Sequence, residues 1–192
     1  MNIPDLAIAL ALAWGAGLRA YAVIFAVGLA GAMGWVELPG HLEVLQHPVV
    51  IGASGLMTLV EFGADKLPWL DSIWDAVHSF IRIPAGAALA ALAFGDSSNA
   101  VIVAAAILGG SVAAAMHAAK AGARAAINLS PEPFSNWAAS LSEDALVPLG
   151  LWLAVAHPVI FFVLLAACLV GVVMLFRLLW RGVQHLTKRS AT

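Results

Sequence analysis

Eleven ionisable side chains interrupt segments that are otherwise apolar and long enough to cross a membrane. They are Arg19, Lys66, Arg82, Lys120 and Arg124 against Glu61, Asp65, Asp71, Asp75, Glu143 and Asp144. Each costs roughly 2.5–3.5 kcal/mol at the centre of a lipid-exposed helix, so together they would oppose insertion by roughly 30 kcal/mol. Such a chain folds in a bilayer only if these groups pair with one another, line water, or both. A polar cluster of this size inside the membrane is where function is expected.

The membrane setting itself rests on composition. Hydrophobic residues make up 62% of the 192 and charged residues 10%, against about 25% charged in soluble domains. The length suits a single polytopic membrane domain over residues 1–192, and a formal charge of −2 gives no indication of nucleic acid. Cys168 is the only cysteine, which excludes a disulfide within the chain and argues against zinc–thiolate sites. Met1 to Asp5 contains no Lys or Arg, so the first apolar stretch reads as a retained helix and not as a cleavable signal peptide.

Hydropathy and turn residues divide the chain into six expected spans. The first runs from Leu6 to about Met33, capped by Asp5, with Gly15, Gly17 and Arg19 at its centre. A loop over 34–46 carries Pro39 and Gly40, and His47-Pro48 opens a second span that ends at Asp65. After Leu67-Pro68 the third runs from Trp69 to about Phe94, with Pro84 as its expected kink. The fourth covers Ala100 to about Ile127. Following Ser130-Pro131-Glu132-Pro133, the fifth covers Phe134 to Val155, kinked near Pro148. His157-Pro158 opens the sixth, which ends near Arg181 before a basic tail over 182–192. The fold class expected is therefore an all-α membrane protein of about six transmembrane helices.

Loops 34–46, 95–99 and 156–158 lack Lys and Arg, whereas Lys66, Arg82, Lys120 and Arg124 cluster near the other turns and Arg177, Arg181, Lys188 and Arg189 near the C-terminus. The excess of basic residues marks the cytoplasmic side, so both termini and both charged turns are expected there, and the parity of six spans agrees. The tail reads as an anchor to anionic lipid.

Two Pro-kinked helical hairpins, about 48–95 and 100–156, read as an internal repeat. Pro68-Trp69-Leu70-Asp71 aligns with Pro133-Phe134-Ser135-Asn136, and Ile83-Pro84-Ala85-Gly86 with Val147-Pro148-Leu149-Gly150. Asp71, Asp75 and His78 have the spacing of Asn136, Ser140 and Glu143. Hairpins copied in one orientation imply a pseudo-two-fold axis along the membrane normal, one of the repeat relations found in transporters.

Three constellations carry candidate chemistry. Asp71, Asp75, His78 and Arg82 form one helical stripe, either a polar wall of a vestibule or an interfacial face with internal pairs. Glu61 and Asp65 share a face; they suit a cation, or neutralise Arg19 and Lys66. His117, Lys120 and Arg124 make a basic stripe that suits a phosphate or carboxylate, or pairs with Glu143 and Asp144. Asn128, Asn136 and Ser140 add neutral donors around the same turn. Glu61, Asp65, Asp71, Asp75 and His78 are the candidate metal ligands, with a divalent cation the cofactor they leave open. No nucleotide-binding, hydrolase or zinc signature occurs in the sequence.

The run Glu61-Phe62-Gly63-Ala64-Asp65-Lys66-Leu67-Pro68, with Asp71, Asp75, His78 and Arg82-Ile83-Pro84-Ala85-Gly86, resembles the bacterial membrane family known as domain-of-unknown-function family 4126. His117, Lys120, Arg124, Ser130-Pro131-Glu132-Pro133, Asn136, Ser140, Glu143-Asp144 and the opening Gly17-Leu18-Arg19-Ala20-Tyr21 fit it as well. The resemblance implies a small multi-pass protein of the bacterial cytoplasmic (inner) membrane and assigns no activity. A weaker resemblance is to cation/proton exchangers that carry Glu-x-Gly-Asp-Lys twice. Here Ala64 separates Gly63 from Asp65 and no second copy is present, so it implies only cation binding at Glu61 and Asp65.

Three functions follow for weighing. The first is a small transporter or channel-like protein for an ion or small anionic solute, and the charged centre, paired hairpins and glycine-rich packing favour it. The second is a metal-dependent membrane-embedded enzyme acting on a lipid or polyprenyl phosphate, with Lys120 and Arg124 on the phosphate. The third is an assembly factor without turnover. The expected partners are the lipid bilayer, the solute and a further copy of the chain in a homo-oligomer.

Overall fold

The computed structural model describes residues 3–65, 68–127 and 133–189, with the side chains of residues 68, 69, 71, 72, 133, 136, 179, 182, 183 and 185–189 excepted. Among the described residues every regular element is helical: α1 (Ile3–Ala32), a 3-10 helix (Gly40–Gln46), α2 (Pro48–Ala64), α3 (Pro68–Ala93), α4 (Asn99–Ile127), α5 (Pro133–Ala156) and α6 (Pro158–Arg189). Five of these helices are long and apolar enough to cross a membrane, or six if the 3-10 helix and α2, bent by 72° at their junction, count as one span.

The molecule is inverted relative to a soluble protein. Arg19, Glu61, Asp65, Asp75, Arg82, Lys120 and Arg124 are buried, while Phe80, Ile107, Val163, Met174 and Leu178 are exposed. Charged groups are normally at the surface. A charged interior under an apolar exterior is stable when the exterior meets lipid, which makes this a multi-pass helical membrane protein.

Local chemistry explains the helix starts and close packing. His47 accepts a hydrogen bond at Nδ1 from the Val49 amide (3.3 Å), and Pro48 takes the first turn of α2, where its missing N–H is not needed. At Gly40, φ is +59°, and a Cβ there would lie 2.5 Å from the Leu92 carbonyl oxygen, so only glycine fits the approach of the 3-10 helix to the end of α3. Helices α3 and α4 touch through Gly86 and Gly109, where a Cβ on Gly109 would stand 2.7 Å from the Gly86 carbonyl oxygen. Small residues that let two backbones meet are the usual basis of helix association in lipid. Pro84 and Pro148 lie inside α3 and α5, which continue through them.

Helix α1 differs from the expected continuous span. Arg19 has extended dihedrals (φ −147°, ψ 80°) in its middle. In a straight helix Gly15 and Val23 would stand about 12 Å apart along the axis; here Val23 Cγ2 lies 2.6 Å from the position of a Cβ on Gly15. Likewise Ile8 and Ala30 line one cavity, although a straight axis would separate them by about 33 Å. The helix is thus bent into a V with Arg19 at the apex. One arm ends beside Ala154 and Phe161, where Ala7 packs. The other ends by the 3-10 helix, where Gly28 meets the Leu45 carbonyl and Gly31 meets Gln46. Both arms therefore open toward the end of the bundle that carries the loops without Lys or Arg. The V is enclosed by α3, α4 and α5, and α6 packs its Phe161 and Leu165 against Ala7 and Ala11 from outside.

Candidate functional site

The apex of the V is a charge cluster. Reversing α1 at Arg19 strips the last carbonyls of the first arm and the first amides of the second of their helical partners. Polar groups must replace those partners in a membrane interior. Lys120 from α4 supplies one replacement, donating from Nζ to the Leu18 carbonyl oxygen at 3.3 Å. A cation at this point also complements the negative end of the first arm's dipole.

The Arg19 side chain, 1% exposed, meets acids from two other segments. Its Nη2 lies 2.7 Å from Asp65 Oδ2, and its Nε lies 3.0 Å from Asp144 Oδ1 and 3.7 Å from Glu143 Oε2. Nη2 also donates to Ser140 Oγ at 2.8 Å. A second centre forms at Arg82 in α3, which is fully buried. Its Nη2 donates to Glu61 Oε1 at 2.6 Å, and its Nη1 donates to Asp75 Oδ1 at 2.5 Å. Lys120 joins the two centres: Nζ is 2.9 Å from Glu143 Oε2 and 3.7 Å from both Asp65 Oδ2 and Asp75 Oδ1. Arg124, one helical turn on, lies 3.5 Å from Glu143 Oε1 and 3.8 Å from Asp65 Oδ2.

Asp65 is the most confined member. It is 0% exposed and has three cations within 4 Å, yet among the described residues neither of its oxygens accepts a hydrogen bond. Among the described residues Glu61 Oε2 and Asp75 Oδ2 are similarly without a hydrogen-bond partner. The cluster opens where Glu143 and Asp144 stand, at 13% and 30% exposure.

The structure thus joins Arg19, Glu61, Asp65, Asp75, Arg82, Lys120, Arg124, Ser140, Glu143 and Asp144 in one network. His117 sits at its edge, with Nδ1 3.4 Å from Arg82 Nη1 and Nε2 2.6 Å from Ser79 Oγ. His78 stays apart from the ion pairs: its Nδ1 is 2.8 Å from the Trp74 carbonyl oxygen of its own helix, and its ring stacks on Trp74 at 4.1 Å. Lys66 and Asn128 lie outside the described residues, as do the side chains of Asp71 and Asn136. Among the described residues no three His, Cys, Asp or Glu side chains are placed to hold a metal ion. Glu61 and Asp75 face Arg82, and Asp65 faces Arg19.

Sequence reasoning missed Ser79, which shares the Asp75–Arg82 face at i+4 from Asp75, and it missed the role of the Leu18 carbonyl. Gly15 and Gly17 beside Arg19 were the available signal for the reversal. A Cβ on Gly17 would lie 2.5 Å from the Ala113 carbonyl oxygen, so the apex can nest against α4 only without side chains there.

The family model described as "Domain of unknown function (DUF4126)" matches residues 6–178. The chain belongs to this family. No curated protein and no solved structure matches the chain. The match to family 4126 covers all of the charge cluster and every candidate span except the terminal turns of α1 and α6. In this member of family 4126, the site is therefore defined by its own geometry.

Proposed function

We propose that this protein is a small transporter or channel-like protein whose solute is a small ion, and that the cluster at the apex of α1 is its binding site. The observation that carries the reading is the interruption of an apolar helix at Arg19, inside a network of ion pairs drawn from α1, α3, α4, α5 and the end of α2. Discontinuous helices whose freed backbone ends point at charge are how many transporters build sites near the bilayer midplane. Ionisable residues held there at such cost generally serve ion or proton movement. A purely structural network has no need of a broken helix.

Charge favours a cation, protons included, over an anion. Among the described side chains, the carboxylates Glu61, Asp65, Asp75, Glu143 and Asp144 meet the cations Arg19, Arg82, Lys120 and Arg124, leaving one carboxylate in excess. The basic stripe of α4 faces these carboxylates and has no preference for an added anion. The same facts weaken the alternative of a metal-dependent enzyme, because its acidic ligands are engaged by Arg and Lys.

The bundle end that holds Arg124, Arg177 and Arg181 faces the cytoplasm in this reading, and the membrane is the bacterial inner membrane. The V of α1 then puts the N-terminus on the opposite face from the C-terminus, since α1 returns to the side it enters from. The expectation of a shared side assumed that α1 crosses.

Purified protein in liposomes, loaded in turn with gradients of protons, sodium and potassium, tests the proposal. A flux above that of protein-free vesicles for at least one cation is expected. Absence of flux for all of them, with chloride and phosphate also silent, would leave the assembly-factor reading in its place.

A further inference from the structure

A cavity of about 550 Å³ lies between the arms of the α1 V, on the side away from the charge cluster. Its lining includes the fully buried Leu12, the half-buried Ala26 and the exposed Pro148, Trp35 and Trp152. Helix α5 runs from this cavity to the cluster along one face. Ser140, Glu143 and Asp144 belong to the cluster, Val147 follows at i+4 from Glu143, and Leu151 and Val155 line the cavity. Gly15, Val23 and Val147 pack together between the two compartments. Val23 and Val147 are 0% and 1% exposed, and a Cβ on Gly15 would lie 2.6 Å from Val23 and 3.7 Å from Val147.

We propose that Gly15, Val23 and Val147 form the closed gate of an ion path that runs along α5 inside the V, from the cavity to the charge cluster. The inference rests on the transport reading and deepens it by naming where the path is shut. A layer of two valines and a glycine backbone offers no polar group to an ion, and constrictions of this kind close by excluding water. Beyond the layer, Glu143 and Asp144 lead outward past the end of the cluster. The path is thus open to the cluster from the Lys/Arg-bearing end and shut toward the other. Because Val23 belongs to one arm of the V and Gly15 to the other, a small change in the angle at Arg19 separates the layer.

The test uses the full chain with Cys168→Ala in liposomes. Val147→Ser places a hydroxyl in the layer and is expected to raise the resting cation flux at least about tenfold, a barrier lowered by about 1.4 kcal/mol. Val147→Ile, which keeps the layer dry, is expected not to raise it. Independently of flux, Leu151→Cys should react with a charged, membrane-impermeant thiol reagent from one side of the membrane, and Val147→Cys should be at least about tenfold slower. A folded Val147→Ser protein with the flux of its parent, or a Val147→Cys as reactive as Leu151→Cys, overturns the gate. If the parent carries flux and Val147→Ser leaves it unchanged, only the gate fails; if neither carries flux, the transport reading fails with it.

Discussion

Arg19 is held by Asp65, Asp144 and the Ser140 hydroxyl, and the Glu61 carboxylate that also was a candidate partner belongs to Arg82. Removing one member of a buried pair leaves a charge uncompensated and typically costs about 3–5 kcal/mol. Arg19→Ala is accordingly expected to lower the yield of folded protein sharply, and Arg19→Ala with Asp65→Ala to restore part of it. The same double substitution with Glu61 in place of Asp65 should restore nothing. Thermal denaturation in detergent measures both, and strict additivity for Arg19 with Asp65 would contradict the pairing. Lys120→Met removes a side chain that touches the acids of both Arg centres and the Leu18 carbonyl, and is expected to lower the Tm of the folded protein by several degrees. The sequence showed that these side chains had to pair, because each is intolerable alone in lipid. It did not show which pairs form. Spacing within a helix fixes a face, whereas partners are fixed by how faces from α2, α3, α4 and α5 meet.

At the scale of elements, α1 carries the main discrepancy. Hydropathy counts apolar residues and reads a run of 30 as one span, but it is blind to a reversal made by one extended residue just after Gly15 and Gly17. The tight nesting of that reversal is testable. Gly17→Val would drive a side chain into the Ala113 backbone and Met116; overpacking of this kind costs about 1–3 kcal/mol, a Tm lowered by several degrees at this chain length. An unchanged Tm would mean that the apex is loosely held. The 3-10 helix Gly40–Gln46 falls where a loop was expected over 34–46, whereas the other helices were legible, with boundaries close to those expected, because Pro48, Pro68 and Pro158 mark real helix starts. Helix α6 continues to Arg189, past the expected end near Arg181, since nothing in its basic last turns breaks a helix.

For the whole molecule, the apolar exterior and charged interior were readable from composition, and the proposed topology departs from the expected one in the relation of the termini. Six crossings return a chain to its starting side; the proposed five crossings and a V would not. Reporter fusions that are active on only one side of the membrane should therefore score opposite sides for the N-terminus and C-terminus, with the C-terminus cytoplasmic. Equal scores would mean that α1 straightens and crosses in the bilayer. The central claim concerns the cluster at the apex, and its most direct test is charge movement on a solid-supported membrane after a cation jump, comparing the parent protein with Asp65→Asn. Asn keeps the shape of the side chain and removes the charge that three cations surround. The account predicts a transient current in the parent that falls at least about tenfold in a variant that still elutes as a single folded species. A folded Asp65→Asn protein with the parent's current would contradict it.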